Sequence, residues 1–249
     1  MATLAGIAPT LIGVGALAVI TTVVLAVFGV ARSWTPAMAI VRGALQLAVI
    51  SVILTGIIAS PLWISVALVV MFAIAVSVAT GRIGWSTRTV AMMGTSILAG
   101  VVIAAGIVFA TGALELTSRY ALAIGAIIIG NAMGTATLAG RTFTSAMIDH
   151  WDEVEGWLAL GATPRASTLP LARRAVRDAL IPAIDQTKTT GLVVLPGAFI
   201  GAIFGGLSPL EAGRFQIVVL AAILGAGSIT AVLVAMWMGR VRTKPEPLR

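Results

Sequence analysis

Long apolar runs separated by short polar stretches dominate this chain. A helix needs about 20 mostly apolar residues to cross the hydrocarbon core of a bilayer. Seven runs are suited to this, at about 4–31, 37–58, 62–80, 89–110, 119–139, 180–204 and 215–238. The pattern predicts an all-α, polytopic integral membrane protein with about seven transmembrane helices. The first run precedes the first charged side chain, Arg32, and is too long for a cleaved signal peptide, so we interpret it as a membrane helix.

The composition excludes several other classes of protein. Of the 249 residues, 59% are apolar and 10% are charged, and the mean hydropathy is +1.09. Soluble domains carry about 25% charged residues. A chain so poor in charge does not cover its apolar atoms with a hydrated surface, which excludes a soluble enzyme, a nucleic-acid module and a disordered chain. The net charge of +7 lies between the apolar runs, so we expect no nucleic-acid partner.

Residues for catalysis or cofactor binding are scarce. The chain has no cysteine and one histidine, His150, so it cannot form a disulfide, a thiolate metal site or a bis-histidine haem site. Its two lysines, Lys188 and Lys244, do not follow a glycine, so no Walker A phosphate loop is present. We expect a transporter subunit without enzymatic activity, cofactor or resident metal. ATP and Mg²⁺, if they are used, bind to another subunit.

Basic residues are concentrated in alternate loops, which predicts the orientation. With the N-terminus outside, the opposite loops hold only Arg119 and Arg214, each near a glutamate. The cytoplasmic loops then hold Arg32, Arg82, Arg88, the arginines of 141–177, Arg240, Arg242, Lys244 and Arg249. The positive-inside rule therefore predicts a plasma-membrane (inner-membrane) protein with its N-terminus outside and its C-terminus in the cytoplasm.

Glycine is frequent in the apolar runs, with 27 residues in the chain. Two pairs have the small-xxx-small spacing, Gly130 with Gly134 and Gly201 with Gly205. Small residues at this spacing let membrane helices approach closely. Both pairs therefore predict tight packing within the bundle; the alternative is a specific seam between two copies in a dimer.

Residues 141–178 form a charged cytoplasmic segment within what we interpret as a single permease domain, 1–249. Ile148, Trp151, Val154 and Leu158 recur every three or four residues, which predicts an amphipathic helix. Gly161 is a helix stop, and Thr163-Pro164 is a suitable start for the next helix. We expect two short helices that meet at a corner of small residues. The alternative is a solvated connector, but structureless connections of this length are uncommon unless they serve a function.

The spacing of Glu155 and Gly161 resembles the coupling loop of bacterial ABC permeases, although Gly156-Trp157 replace two alanines. In that class a short cytoplasmic helix docks on the ATPase and transmits its closure to the membrane. The resemblance implies that the coupling residues are Glu155, Leu160, Gly161, Ala162, Thr163, Pro164 and Arg165.

A longer resemblance covers nearly the whole chain. The segments 130–133, 160–165, 179–185, 191–197 and 215–217, with Arg42 and Gln46-Leu47, follow the order of the FetB-type iron-export ABC permeases, whose relatives include plant aluminium-tolerance membrane subunits. The resemblance implies a homodimeric permease, paired with a cytoplasmic ABC ATPase, that exports a metal ion, iron, in metal homeostasis. After Pro196-Gly197, apolar residues 198–202 replace the Met-Met-Thr-Gly-Gln usual in that family.

Polar and helix-breaking residues inside the apolar runs are candidates for the translocation path, because such groups normally face a bundle interior or a water-filled path. The candidates are Arg42, Gln46, Asn131, Met133, Asp185, Lys188, Pro196, Gly197 and Gln216. Each also has a structural interpretation. Arg42 can snorkel to the interface, Asn131 can bond a neighbouring helix, and Asp185 can pair with Lys188. Pro196-Gly197 should kink or break the sixth span.

The function expected from these features is an ATP-driven export permease. One alternative is an ATP-independent channel or secondary carrier, in which residues 141–178 only anchor or regulate. Another is an ABC permease for a non-metal cargo such as a sugar nucleotide or a lipid. An intramembrane enzyme is disfavoured, because the spans hold no acid–base pair, thiol or metal cluster.

Overall fold

The computed structural model describes the backbone of residues 4–57, 60–240 and 243–245, and the side chains of 8–51, 60–240 and 243–245. These residues form nine helices: α1 (Leu4–Val27), α2 (Thr35–Ile57), α3 (Pro61–Ile83), α4 (Thr87–Ala110), α5 (Ser118–Asp149), α6 (Trp151–Ala159), α7 (Pro164–Thr189), α8 (Gly197–Phe204) and α9 (Pro209–Met238). Strand pairing in the described part is limited to one isolated bridge, between Thr190 and Val194. The predicted all-α class is confirmed.

Two compact units make up the chain, Met1–Ala59 and Ser60–Arg249. In the first unit α1 packs on α2. Their described side chains are exposed or half-buried and mostly apolar, which suits contact with lipid. In the second unit α5 and α9 are the central helices, and α3, α4 and α7 pack around them.

Close packing in the second unit depends on glycines other than the two predicted pairs. A Cβ added at Gly100 would lie 2.6 Å from the Ala226 carbonyl oxygen and closer still to Thr230 Oγ1, so the backbones of α4 and α9 nearly touch. A Cβ added at Gly130, Gly134 or Gly201 would meet nothing within 4 Å. The prediction of tight packing within the bundle is therefore wrong at Gly130, Gly134 and Gly201, because these glycine faces do not meet a neighbouring helix of the same chain.

Helices α5 and α9 run in the same direction. Near their N-terminal ends the rings of Tyr120 and Phe215 are 5.7 Å apart. Near their C-terminal ends Met147 and Met238 belong to one apolar cluster. The intervening chain must therefore return across the bundle, which it does through α7, a turn at residues 190–196 and α8.

The sixth span, predicted at 180–204 with a kink or break at Pro196-Gly197, is interrupted earlier than expected. Helix α7 begins at Pro164 and ends at Thr189, where Gly191 takes a φ of 86° and donates its N–H to the Val194 carbonyl at 2.9 Å. The predicted break at Pro196-Gly197 is present, but the chain has already left the helix six residues earlier. Pro196 is the N-cap of α8.

Helix α5 is also longer than predicted. It continues ten residues past the expected end at 139, and at 1.5 Å per residue its 32 residues span about 48 Å, more than the hydrocarbon core of about 30 Å. The segment predicted as cytoplasmic therefore consists of the end of α5, all of α6 and the first half of α7, and the second helix of the corner is not short. Among the described residues, α1, α3, α4, α5 and α9 are long and apolar enough to cross a membrane, with a shorter apolar stretch at Thr35–Ser51 of α2.

Basic residues of the second unit gather at one end. A Cβ added at Gly140 would lie 2.8 Å from Ile83 Cδ1, and Thr168 Oγ1 donates to the Gly239 carbonyl at 3.1 Å. The C-terminal ends of α3, α5 and α9 and the start of α7 therefore lie together. This end and the first half of α7 carry Arg82, Arg88, Arg141, Arg165, Arg173, Arg174, Arg177 and Arg240 together with Asp149, Asp152, Glu153, Glu155 and Asp178, whereas the opposite end carries Glu115, Arg119, Glu211 and Arg214.

Candidate coupling site and polar pocket

Helix α6 is fixed to the basic end of the bundle by one apolar face. Its Val154 side chain is 1% exposed and packs in a cluster with Phe143 and Met147 of α5 and Leu171 and Ala175 of α7. Trp151 and Leu158 are half-buried against the same cluster. Any displacement of α6 is therefore transmitted to the ends of two long helices, because close-packed interiors have low compressibility.

Gly161 ends α6 in a Schellman motif. Its φ is 89°, in the left-handed region that favours glycine. The Ala162 N–H donates to the Trp157 carbonyl at 3.0 Å, and the Gly161 N–H donates to the Leu158 carbonyl at 3.0 Å. This pair of bonds satisfies the last carbonyls of the helix and sets the direction in which the chain leaves it.

The next helix begins two residues later. Thr163 is the N-cap of α7, and its hydroxyl oxygen accepts from the Ala166 N–H at 3.3 Å, while Pro164 occupies the first turn. One turn further on, the buried Thr168 hydroxyl bridges the Pro164 carbonyl, at 2.9 Å, and the Gly239 carbonyl at the end of α9. The predicted stop and start of the two helices are confirmed, and the corner is tied to α9 as well as to α5.

The outer face of α6 is exposed and mixed in character. Leu160 is 81% exposed and Trp157 is 56% exposed, and Glu155 of the same helix is also exposed. Asp152 and Glu153 add negative charge in the first turn. Apolar side chains this exposed, rimmed by charge, mark interaction sites on protein surfaces.

All seven predicted coupling residues lie at this corner: Glu155 on α6, Leu160, Gly161, Ala162 and Thr163 in the turn, and Pro164 and Arg165 at the start of α7. The prediction omitted Trp157, which is also exposed on α6. The sequence did contain a sign of this residue: Trp157 stands where the coupling loop of bacterial ABC permeases has a small alanine.

A polar pocket of approximately 300 Å³ lies between α5 and α7. From α5 it is lined by Asn131 and Thr135, and from α7 by Gln186 and Pro182. The Asn131 side-chain amide donates to the Ile127 carbonyl at 2.8 Å, which leaves its carbonyl oxygen available. Glycine at 130 and 134 keeps the α5 wall free of bulk. The pocket therefore presents three neutral hydrogen-bonding side chains within a wall that is otherwise largely apolar and includes Leu138, Ala179 and Ala183.

Of the predicted path residues, only Asn131 lines this pocket. Met133 packs against the central apolar cluster instead. Asp185 and Lys188 are exposed on another face of α7, with their charged atoms 4.0 Å apart, as the ion-pair interpretation predicted. The α7 residue that reaches the pocket is Gln186, which the sequence analysis did not select.

The remaining path candidates lie elsewhere. Gln216 is 5% exposed on α9, and within the described residues its side-chain carbonyl oxygen has no hydrogen-bond partner. Pro196 and Gly197 form the start of α8. Arg42 and Gln46 lie on α2 of the first unit, where both side chains are exposed.

Comparison with known proteins places this architecture in a family. The model of the uncharacterised protein family UPF0014 matches residues 9–242. The chain belongs to this family. Among its UPF0014 relatives, the membrane protein STAR2 of Oryza sativa subsp. japonica is 38% identical over 200 residues, which cover 78% of this chain and 69% of STAR2. The protein ALUMINUM SENSITIVE 3 of Arabidopsis thaliana is 36% identical over 193 residues, covering 77% and 71%.

A bacterial relative links UPF0014 to transport. The probable iron export permease protein FetB of Escherichia coli is 35% identical over 121 residues, which cover 49% of this chain and 47% of FetB. No solved structure matches the chain. These relatives confirm the resemblance to the FetB-type family, and the chain is a multi-pass membrane protein of UPF0014.

Proposed function

We propose that this chain is the membrane-spanning permease subunit of an ABC transporter and that a separate cytoplasmic ATPase drives it. The observation that carries the proposal is the arrangement of α6. Val154 anchors α6 to α5 and α7, while Trp157 and, at the C-terminal end of the helix, Leu160 remain exposed. A helix held in this way passes the movement of a docked partner to the membrane helices. ATP and Mg²⁺ bind to that partner, and this chain hydrolyses no ATP itself.

In this proposal the basic end of the second unit faces the cytoplasm of the inner membrane. The N-terminus is then outside, the C-terminus is inside, and α6 is on the side where ATP is available. The gathering of eight arginines at that end supports the orientation through the positive-inside rule. Two copies of the permease form the path, one for each subunit of an ATPase dimer.

The proposed cargo is a metal ion that leaves the cytoplasm, and the printed name of FetB supports iron. The polar pocket between α5 and α7 is the proposed waypoint. Its described lining has amide and hydroxyl groups but no carboxylate or imidazole, which are the groups that bind ferrous ions directly. A metal that passes this point therefore keeps its water or another ligand shell and is held through outer hydrogen bonds.

Co-purification tests the proposal. The tagged permease, expressed in its native host and extracted in mild detergent, should recover a Walker-A-bearing ATPase subunit. Trp157→Ala with Leu160→Ala should reduce the recovered ATPase about tenfold or more, because exposed aromatic and aliphatic anchors of an interface contribute about 1–2 kcal/mol or more each. Leu116→Ala is the matched control, because Leu116 is 75% exposed at the opposite end. Transport without any recovered ATPase would instead support an ATP-independent carrier.

A further inference from the structure

A groove of approximately 430 Å³ runs between the first half of α7 and the last turns of α9. Its apolar walls include Leu169 and Val176 from α7 and Val232 and Met236 from α9. Arg165 and Arg173 also line it. We name this feature the α7–α9 groove; it is separate from the polar pocket and from the exposed face of α6.

The α7–α9 groove opens outward from the bundle. Leu169, Val232 and Met236 are all exposed, and Val232 and Met236 belong to the membrane-spanning helix α9. At one end the hydrogen bond from Thr168 to the Gly239 carbonyl holds the two helices together. From Arg165 to Val176 the groove follows α7 for eleven residues, about 16 Å at 1.5 Å per residue. It is a slot of acyl-chain shape that begins at the basic end of the bundle and continues to membrane depth.

The charge on the groove is not neutralised by the protein. Arg174 and Arg177, on other faces of α7, lie 3.8 Å and 3.5 Å from Asp178. Among the described side chains, by contrast, no carboxylate lies within ion-pair distance of Arg165 or Arg173. Guanidinium groups bind phosphate through two parallel hydrogen bonds. An apolar slot with two such groups matches a molecule that carries both an acyl chain and an anionic phosphate.

We propose that the α7–α9 groove binds an anionic phospholipid. An acyl chain lies along Leu169, Val176 and Met236, and the headgroup phosphate is held by Arg165 and Arg173. Basic pockets between membrane helices recognise anionic headgroups in this way. The bound lipid couples α7 to α9 and so stabilises the layer on which α6 rests. The inference requires neither a particular cargo nor an ATPase.

The test measures lipid affinity on the purified full-length chain in detergent. Palmitoyl-oleoyl phosphatidylglycerol or phosphatidylcholine is titrated, and bound lipid is counted by native mass spectrometry. We expect phosphatidylglycerol to bind more tightly than phosphatidylcholine, and Arg173→Gln to weaken phosphatidylglycerol roughly fivefold. Arg174→Gln removes the same charge from the adjacent residue outside the groove and should leave the affinity unchanged. Equal affinity for both lipids, or equal loss in both variants, would overturn the proposal.

Filling the slot provides a second, charge-independent measurement. Leu169→Trp should block phosphatidylglycerol, whereas Ile181→Trp, an exposed position of α7 outside the groove, should not. A second copy of the chain is the competing occupant. Because the native chain has no cysteine, Leu169→Cys introduces the only thiol, and a disulfide between two copies in the membrane would show an interface between copies and refute lipid binding.

Discussion

Substitutions of Gly161 can distinguish whether the corner between α6 and α7 needs glycine for its backbone conformation or for its small size. Its φ is 89°, and a Cβ added there would meet nothing within 4 Å. Substitution therefore encounters free space but a disfavoured backbone. The left-handed conformation costs an L-residue about 1–2 kcal/mol, less for asparagine, whose side chain can bond locally. Since 1.4 kcal/mol is tenfold in an equilibrium constant, alanine should weaken docking of the ATPase by up to about 5- to 30-fold.

The order of activity within a series of Gly161 variants tests this reasoning. ATP hydrolysis stimulated by the permease should fall in the order Gly, Asn, Ala, Val, because valine is β-branched and least tolerant of positive φ. A requirement for small size would place alanine, the smaller side chain, above asparagine. Gly156→Ala is the matched control: this glycine lies inside α6 with open space around it, and alanine there favours the helix by about 1 kcal/mol. If Ala at 161 performs as well as Asn or better, the backbone explanation is refuted.

Three further predictions concern packing, path and orientation. Gly100→Ala should lower the free energy of unfolding in SDS by about 1–3 kcal/mol, because the added methyl group meets the α9 backbone. Gly106→Ala, in open space on the same helix, should leave it unchanged. Equal stability of the two variants would contradict the close approach of α4 and α9. Gln186→Leu should reduce metal export from cells several-fold and Asp185→Asn should not, and the reverse result would move the path to the ion-pair face of α7. Leu116→Cys should react with an impermeant maleimide applied to intact cells, and protection there with labelling only after lysis would reverse the proposed orientation.

The corner could be predicted from the sequence because its determinants are local. A glycine with positive φ, a threonine cap and a proline in the first turn each act within four residues. The length of α5 could not be predicted in the same way. Arg141 marks the point where the apolar run ends and the chain leaves the hydrocarbon core. The helix itself does not have to end there. The helix continues because Phe143 and Met147 are buried against residues about 30 positions further along the chain.

The lining of the polar pocket was predicted less well than the corner, since rotation of a helix about its axis is set by its neighbours. Asp185, the one carboxylate in the predicted spans, was selected as a path candidate with an ion pair to Lys188 as the alternative, because ionisable groups at membrane depth are costly. Packing of α7 on α5 turns that side chain away and brings Gln186 to the pocket. The glycine pairs were misjudged for the same reason. The spacing of glycines in the sequence identifies helix faces made of small residues, but only the tertiary structure determines which of these faces packs against another helix.

The corner and the polar pocket are joined by two helical arms of equal length. From the end of α5 at Asp149 back to Asn131, and from the start of α7 at Pro164 on to Pro182, there are eighteen residues, or about 27 Å. The arms differ in stiffness. Helix α5 contains no proline, whereas α7 contains Pro170 and Pro182, each of which removes a backbone hydrogen bond and weakens the helix where it lies. We therefore expect a displacement of α6 to bend α7 more than α5, which would shift the two walls of the pocket relative to each other. Proline at the pocket wall places the bend where the proposed cargo is held.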